Sequence, residues 1–370
     1  MIIGVPKEIK DHEYRVSITP AGAQQLAKVG HTVLVQEGAG KGSALSDEDY
    51  RQAGATLTAS AGKIFAEADA VVKVKEPQPS EFDLLKPGLT LFTYLHLAAE
   101  PVLTRELMRR GVAAIGYETV QLNDGSLPLL TPMSEVAGRM AIYEAAKYLE
   151  SARGGKGVLL SGVPGVRPGR VTILGGGTAG LNAAKVAAGM GALVTILDLS
   201  LPRLRFLDDV LHNVTTLIYT PLALSELLPH TDALIGTVLV RGARAPKLVT
   251  REMVGRMEKG SVVVDVSIDQ GGCVETSRPT THSDPTFIVD GVVHYCVTNM
   301  PGAVAHTSTV ALTNATFPYV MKLANRGFAA VKDDAALGKG VNVCHGRLTN
   351  EAVAQALDLP FTPLEEALAG

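Results

Sequence analysis

Residues 171–198, VTILGGGTAGLNAAKVAAGMGALVTILD, constrain this chain more than any other stretch. An apolar, β-branched run enters a glycine turn, small residues follow at helical spacing, and a second apolar run ends on an acid. That order reads as strand, turn, helix, strand, carboxylate. Gly175, Gly177 and Gly180 fit G-x-G-x-x-G. In that pattern the first glycine makes the tight turn, the second lets backbone approach a pyrophosphate, and the third lets helix pack closely on strand. The N–H groups of the helix start would face the phosphates. In a chain with 38 glycines the pattern alone is weak, but here it is flanked by two strand patterns, and Asp198 follows 18 residues after Gly180. Asp198 would accept hydrogen bonds from the adenosine ribose hydroxyls and repel a 2′-phosphate, so NAD is expected rather than NADP. The competing reading is a tight βα turn that binds nothing.

The same alternation runs along the whole chain. Strand patterns at 2–5, 32–35, 70–74, 89–94 and 112–117 are interleaved with helical stretches from about residue 20, near 47–53 and at 100–110. After the turn come strands at 215–219, 233–237, 261–266 and 292–297, with helices at 202–211, 222–228 and 251–257. This rhythm predicts an α/β protein built on doubly wound parallel sheets. A length of 370 residues suggests two domains. Two long helical stretches, 133–150 and 306–325, bracket the glycine-turn segment. The expected organisation is therefore two Rossmann-like domains with a cleft between them. The NAD-binding domain, 131–305, is inserted into a discontinuous substrate domain, 1–130 plus 306–370.

Composition excludes several classes of function. With 34 basic and 37 acidic side chains and a formal charge of −3, nothing points to nucleic acid or an anionic membrane surface. No run approaches the roughly 18 apolar residues of a membrane span, and the start does not resemble a signal peptide. Cys273, Cys296 and Cys344 are far apart and lack C-x-x-C spacing, so neither a disulfide framework nor a zinc site is expected. A cytoplasmic location follows from these readings.

Ligands of open parallel sheets bind at the carboxyl ends of strands, and four polar residues stand there. Lys75 ends the run VVKVK and could hold a carboxylate or carbonyl; a lysine snorkelling from a strand end is the alternative. His96 closes LFTYLHL, where an imidazole suits general acid–base work at neutral pH, against a satisfied core histidine. Arg15, after the first strand, could grip a carboxylate bidentately; taken alone, it reads more simply as a solvated loop arginine. Asp269 follows SVVVDVSI beside Gly271 and Gly272, near where a nicotinamide should lie, with a turn aspartate as the rival. No G-x-S-x-G, H-E-x-x-H or phosphate-loop pattern occurs, and the other histidines show no metal-ligand spacing.

Longer motifs then carry a resemblance. GVPKEIKDHEYRVSITPAG (4–22), KVKEP (73–77), FTYLHLAAE (92–100), PMSEVAGRMA (132–141), GGGTAG (175–180), DQGGCVETSRPTTHSDPTF (269–287) and NMPGAVAHTSTVALTNATFPY (299–319) closely resemble the bacterial L-alanine dehydrogenase family. The likeness runs nearly end to end; the NAD-binding subunit of proton-translocating transhydrogenase is a less close match. The resemblance implies reversible oxidative deamination of L-alanine to pyruvate, ammonia and NADH, by a homo-oligomer, usually a hexamer. It implies Arg15 and Lys75 as substrate-binding and His96 and Asp269 as catalytic. It implies cofactor contacts at Ser134, Gly175, Gly177, Thr178, Ala179, Gly180, Asp198, Arg203, Thr220, Val238, Leu239, Val266, Ser267, Ile268, Asp269, Arg278, Val297, Thr298, Asn299 and Met300. Two positions depart from relatives: Gly176, often alanine, and Thr220, serine in some. Some members bind magnesium through Glu118 and a histidine near the end of the long C-terminal helix. That helix end reads Asn325, Arg326 here, and no metal is expected. The alternative functions are a transhydrogenase-like NAD-binding subunit and a non-catalytic NAD-binding module.

Overall fold

A computed structural model describes residues 1–238 and 245–369. The chain divides into two compact units, Met1–Met133 with Gly302–Gly370, and Ser134–Pro301. The first unit opens with β1 (Ile2–Val5), β2 (Thr32–Gln36), β3 (Thr56–Thr58), β4 (Ala70–Val72), β5 (Thr90–Thr93) and β6 (Ala113–Gly116). The second contains β7 (Arg170–Leu174), β8 (Leu193–Asp198), β9 (Val214–Ile218), β10 (Ala233–Gly236), β11 (Val262–Asp265), β12 (Thr286–Val289) and β13 (Val292–Tyr295). The chain then returns to the first unit with β14 (Val341–Cys344) and β15 (Arg347–Leu348).

The two sheets run β15-β14-β6-β5-β4-β1-β2-β3 and β12-β13-β11-β10-β7-β8-β9. Counted within each unit, the parallel strands take the order 3-2-1-4-5-6 twice over. The order reverses between β1 and β4 in one unit and between β7 and β10 in the other, the points where open sheets leave a crevice for ligands. Both sheets differ from a wholly parallel arrangement at one edge. β12 pairs antiparallel with β13, and β14 pairs antiparallel with both β6 and β15.

Local sequence explains the elements. β4, β5, β10 and β11 are buried along their whole length, because helices cover both faces of a parallel sheet, and their sequences are accordingly mostly apolar, with Thr90, Thr93 and Asp265 the polar exceptions. The helix Pro20–Lys28 starts where Thr19 accepts from the Gly22 N–H and Pro20 presets the first turn. It ends ahead of Gly30, which takes the left-handed conformation, φ 89°. The glycine-turn helix, Thr178–Gly189, packs Ala183, Ala184 and Ala187 into the core with Val171, Ile173 and Ile196. Alanines there allow the helix axis to lie close to the sheet.

Candidate active site

In the second unit the three motif glycines do three different things. Gly175 has φ 93°, and a Cβ there would lie 3.0 Å from the Thr237 carbonyl oxygen. A Cβ on Gly180 would lie 1.9 Å from the Gly175 carbonyl oxygen, so helix and turn touch backbone to backbone. A Cβ on Gly177 would meet no protein atom within 4 Å, which leaves open the space a pyrophosphate needs. The helix carrying Thr178 and Ala179 begins without a side-chain cap, so its first N–H groups suit an anion. These residues fit a dinucleotide.

The turn is braced from three sides. The Thr237 hydroxyl lies 2.8 Å from the carbonyl oxygens of both Leu174 and Gly175. Asp198, at the end of β8, accepts the Gly176 N–H at 2.6 Å and the Ser200 N–H at 2.8 Å. Arg203 donates through Nε to the Gly176 carbonyl and lies over the Phe206 ring, 4.6 Å from its centre. At Gly176 a Cβ would stand 2.6 Å from Leu207 Cδ1, so an alanine there requires the end of the Leu207 side chain to shift. From the long helix Thr131–Tyr148, Gly138 meets the turn helix so closely that a Cβ would be 2.1 Å from the Ala179 carbonyl oxygen. Ser134 lies one turn earlier on the same helical face as Gly138.

The remaining cofactor candidates follow the carboxyl ends of neighbouring parallel strands. Thr220, after β9, caps the helix Pro221–Leu227 by accepting the Ala223 N–H at 3.0 Å. Val238 follows β10, and Leu239 lies outside the described residues. After β11 the buried Asp265, 1% exposed, accepts from the N–H groups of Ser267 and Val274, both at 3.1 Å. It thereby folds the turn Val266–Gln270, which holds Val266, Ser267 and Ile268 and exposes Asp269. After β13, Val297 and Met300 are buried, the Thr298 N–H donates to the Thr280 carbonyl at 3.2 Å, and Asn299 is left-handed, φ 67°. Arg278 stacks over Phe287 at 4.3 Å, and Phe287 stacks on the buried His294 at 5.1 Å.

In the first unit Arg15, Lys75 and His96 follow β1, β4 and β5, three adjacent strands, at their carboxyl ends. Arg15 is 2% exposed, so the solvated-loop reading of it is wrong. Its bidentate carboxylate partner is Glu13, reached from Nε at 2.7 Å and Nη2 at 2.5 Å, while Nη1 lies 3.0 Å from Met133 Sδ. Burial pulls the Arg15 pKa down, but the charge and hydrogen bonds of Glu13, with Tyr94 and Glu8 adding to them, together hold the guanidinium above its usual value. Lys75 is 8% exposed, which rules out a lysine snorkelling into solvent. Its carbonyl accepts from the Thr93 hydroxyl at 2.9 Å, tying the ends of β4 and β5 together.

Beneath Lys75 lies a buried charge cluster. Glu8 Oε1 accepts from the N–H groups of Val74 at 2.6 Å and Lys75 at 3.3 Å. Lys73, 0% exposed, sits 3.2 Å from Glu8 and 2.9 Å from Glu81. Burial raises the Glu8 carboxyl above its ordinary value despite Lys73. His96 is half-buried and left-handed, φ 49°, ψ 37°. Its ring stacks on Tyr94, 5.7 Å between centres and 8° apart, and the Tyr94 hydroxyl donates to the Leu129 carbonyl at 2.7 Å. Glu118 accepts the N–H groups of His96 and Leu95. At the helix end, Asn325 meets His31 at 2.9 Å and Arg326 pairs with Asp333. Among the described residues no group of three or more His, Cys, Asp or Glu is placed to hold a metal ion.

Sequence reasoning overlooked Glu8, Glu13, Lys73, Gly138, Thr237 and Asp265, and named Glu118 only as a metal position of some relatives. A signal existed for two of them, since Lys73 and Asp265 interrupt apolar strand runs at places where a charge is costly to bury. The others became visible only through their partners.

Over residues 4–137 the chain matches the family described as "Alanine dehydrogenase/PNT, N-terminal domain", and over 141–351 "Alanine dehydrogenase/PNT, C-terminal domain". It is 57% identical to alanine dehydrogenase of Methanococcus maripaludis, over 100% of both chains. It is 55% identical to that of Bacillus subtilis, over 100% of this chain and 98% of the relative. A solved L-alanine dehydrogenase has a TM-score of 0.93 at 52% identity, covering 97% of this chain and 99% of that one. A transhydrogenase from Sinorhizobium meliloti shares the fold, with a TM-score of 0.80 at 23% identity, over 95% of this chain and 100% of that one.

Proposed function

This chain belongs to the alanine dehydrogenase family, and from that premise we infer that it catalyses the NAD-dependent, reversible oxidative deamination of L-alanine to pyruvate and ammonia. The observation that carries the reading beyond kinship is the delivery of Arg15, Lys75 and His96 to the carboxyl ends of three adjacent strands. Two cations there suit a carboxylate substrate, and an imidazole beside them suits proton transfer.

In this reading the second unit grips NAD through the turn Gly175, Gly177 and Gly180, with Asp198 at the adenosine ribose. Ser134, Thr178, Ala179, Arg203, Thr220, Val238, Leu239, Val266, Ser267, Ile268, Arg278 and residues 297–300 complete the cofactor site. NAD, when bound, supplies the acceptor for the α-hydride of alanine. Arg15 and Lys75 bind and orient the carboxylate, with Arg15 itself held by Glu13 through Nε and Nη2. His96 passes the proton as water adds to the iminium and ammonia departs. Asp269 assists that transfer and stabilises the cationic iminium and ammonium. Amines without an acid group are excluded, because they lack the carboxylate that Arg15 and Lys75 bind. The protein is further proposed to be a cytoplasmic homohexamer. Among the described residues no helix is long and apolar enough to cross a membrane.

The test mixes the protein with L-alanine and NAD at alkaline pH and follows NADH absorbance. An increase that requires the carboxylate, absent with ethylamine, is expected. No increase, with pyruvate, ammonia and NADH equally inert, overturns the reading. Sedimentation velocity on the same preparation reads the oligomer.

A further inference from the structure

His96 follows β5 in the left-handed region, uncommon for a residue bearing a Cβ though less so for histidine, and is held there under constraint. Two contacts supply the constraint. The ring lies nearly parallel to Tyr94, itself anchored through its hydroxyl to Leu129. The backbone turn is closed by one carboxylate: Glu118 Oε1 accepts the His96 N–H at 2.7 Å, and both Glu118 oxygens lie 3.2 Å from the Leu95 nitrogen. Glu118 follows β6, the next strand in the sheet after β5, so it reaches across from a neighbouring element. An ionised acceptor is the strong kind of partner for two successive amides, and without it those amides would be left pointing inward.

We propose that Glu118 is the positioning residue of the active site, holding residues 95–96 in the left-handed turn that aims the His96 imidazole at the substrate. The proposal rests on the assignment of His96 to proton transfer. Glu118 touches neither substrate nor cofactor; it acts through the backbone of the residue that does. What this role requires is an acceptor oxygen at Oε1, with neither the negative charge nor a metal ion needed. That requirement separates it from a role as metal ligand or general base.

Steady-state kinetics in both directions test this with Glu118→Gln, Glu118→Ala, His96→Ala and the Glu118→Ala/His96→Ala double variant. NADH binding by fluorescence and thermal melting report on the fold. Glu118→Gln keeps the acceptor oxygen and is expected to stay within about tenfold of the parent kcat. Glu118→Ala is expected to lose about 100-fold in kcat, the scale of a misplaced catalytic group, with NADH affinity and a cooperative melt retained. The double variant is expected to be no slower than His96→Ala alone, since both changes act through one group. Losses that multiply in the double variant overturn the proposal. So does a Glu118→Gln enzyme as impaired as Glu118→Ala, or a parent enzyme inactivated by chelator and restored by magnesium. If Glu118→Ala does not fold, the Glu118→Gln and chelator results still decide. The two readings fail separately. A His96→Ala enzyme of full kcat overturns the catalytic assignment, whereas an inactive His96→Ala enzyme beside a fully active Glu118→Ala enzyme overturns only the positioning role.

Discussion

Glycines 177 and 180 are three residues apart in one turn, yet substitution at each should fail in a different way. A methyl on Gly180 would collide with the Gly175 carbonyl at 1.9 Å, a backbone atom that cannot swing aside. Gly180→Ala is expected to cost about 2–3 kcal/mol, the scale of overpacking, read as a lowered melting temperature. A methyl on Gly177 meets no protein atom within 4 Å, so Gly177→Ala should melt like the parent. Its NADH dissociation constant should rise about tenfold or more, each tenfold being about 1.4 kcal/mol of lost backbone approach. Equal melting losses in the two variants would disprove the division of labour. The motif and its acid were legible because this chemistry depends on residue type and spacing. The close approach of Leu207 to Gly176 was not, since the two lie 31 positions apart in the chain.

At the scale of elements, the central parallel strands were legible because each is a short, mostly apolar run buried along its whole length. β3, β12, β14 and β15 were not: they span two to four residues, and β12, β14 and β15 exist through antiparallel pairing with partners the local pattern does not name. The charge cluster under Lys75 was hidden for the same reason, as an acid's burial depends on what folds over it. Its energetics are testable. Lys73→Ala strands Glu8 and Glu81 in the interior without their cation and should cost about 3–5 kcal/mol, by urea midpoint at neutral pH. Glu8 adds a pH signature. Its folded pKa lies above the ordinary 4.5, so the folded state holds the proton more tightly. Its contribution to stability is therefore full below 4.5 and is lost as pH rises through the raised value. Glu8→Gln should flatten that part of the urea-midpoint profile; an unchanged slope would contradict the assignment.

For the whole molecule, the two units differ in how the chain makes them. Ser134–Pro301 is one uninterrupted segment with its own sheet and core, whereas the other unit needs β14, from the return segment, beside β6. The segment 134–301 produced alone should melt cooperatively and bind NADH without oxidising alanine; a fragment that aggregates or shows no NADH fluorescence change would refute its autonomy. The repeated 3-2-1-4-5-6 order carries a different consequence, for what mutation can reach. At the switch point of the second unit the grip is made of backbone, which side-chain replacement alters chiefly by destroying the glycines. At the equivalent point of the first unit it is made of long cationic side chains that can be exchanged one at a time. Under selection, then, the range of acids accepted should drift readily while the class of cofactor stays put, one architecture evolving at two speeds.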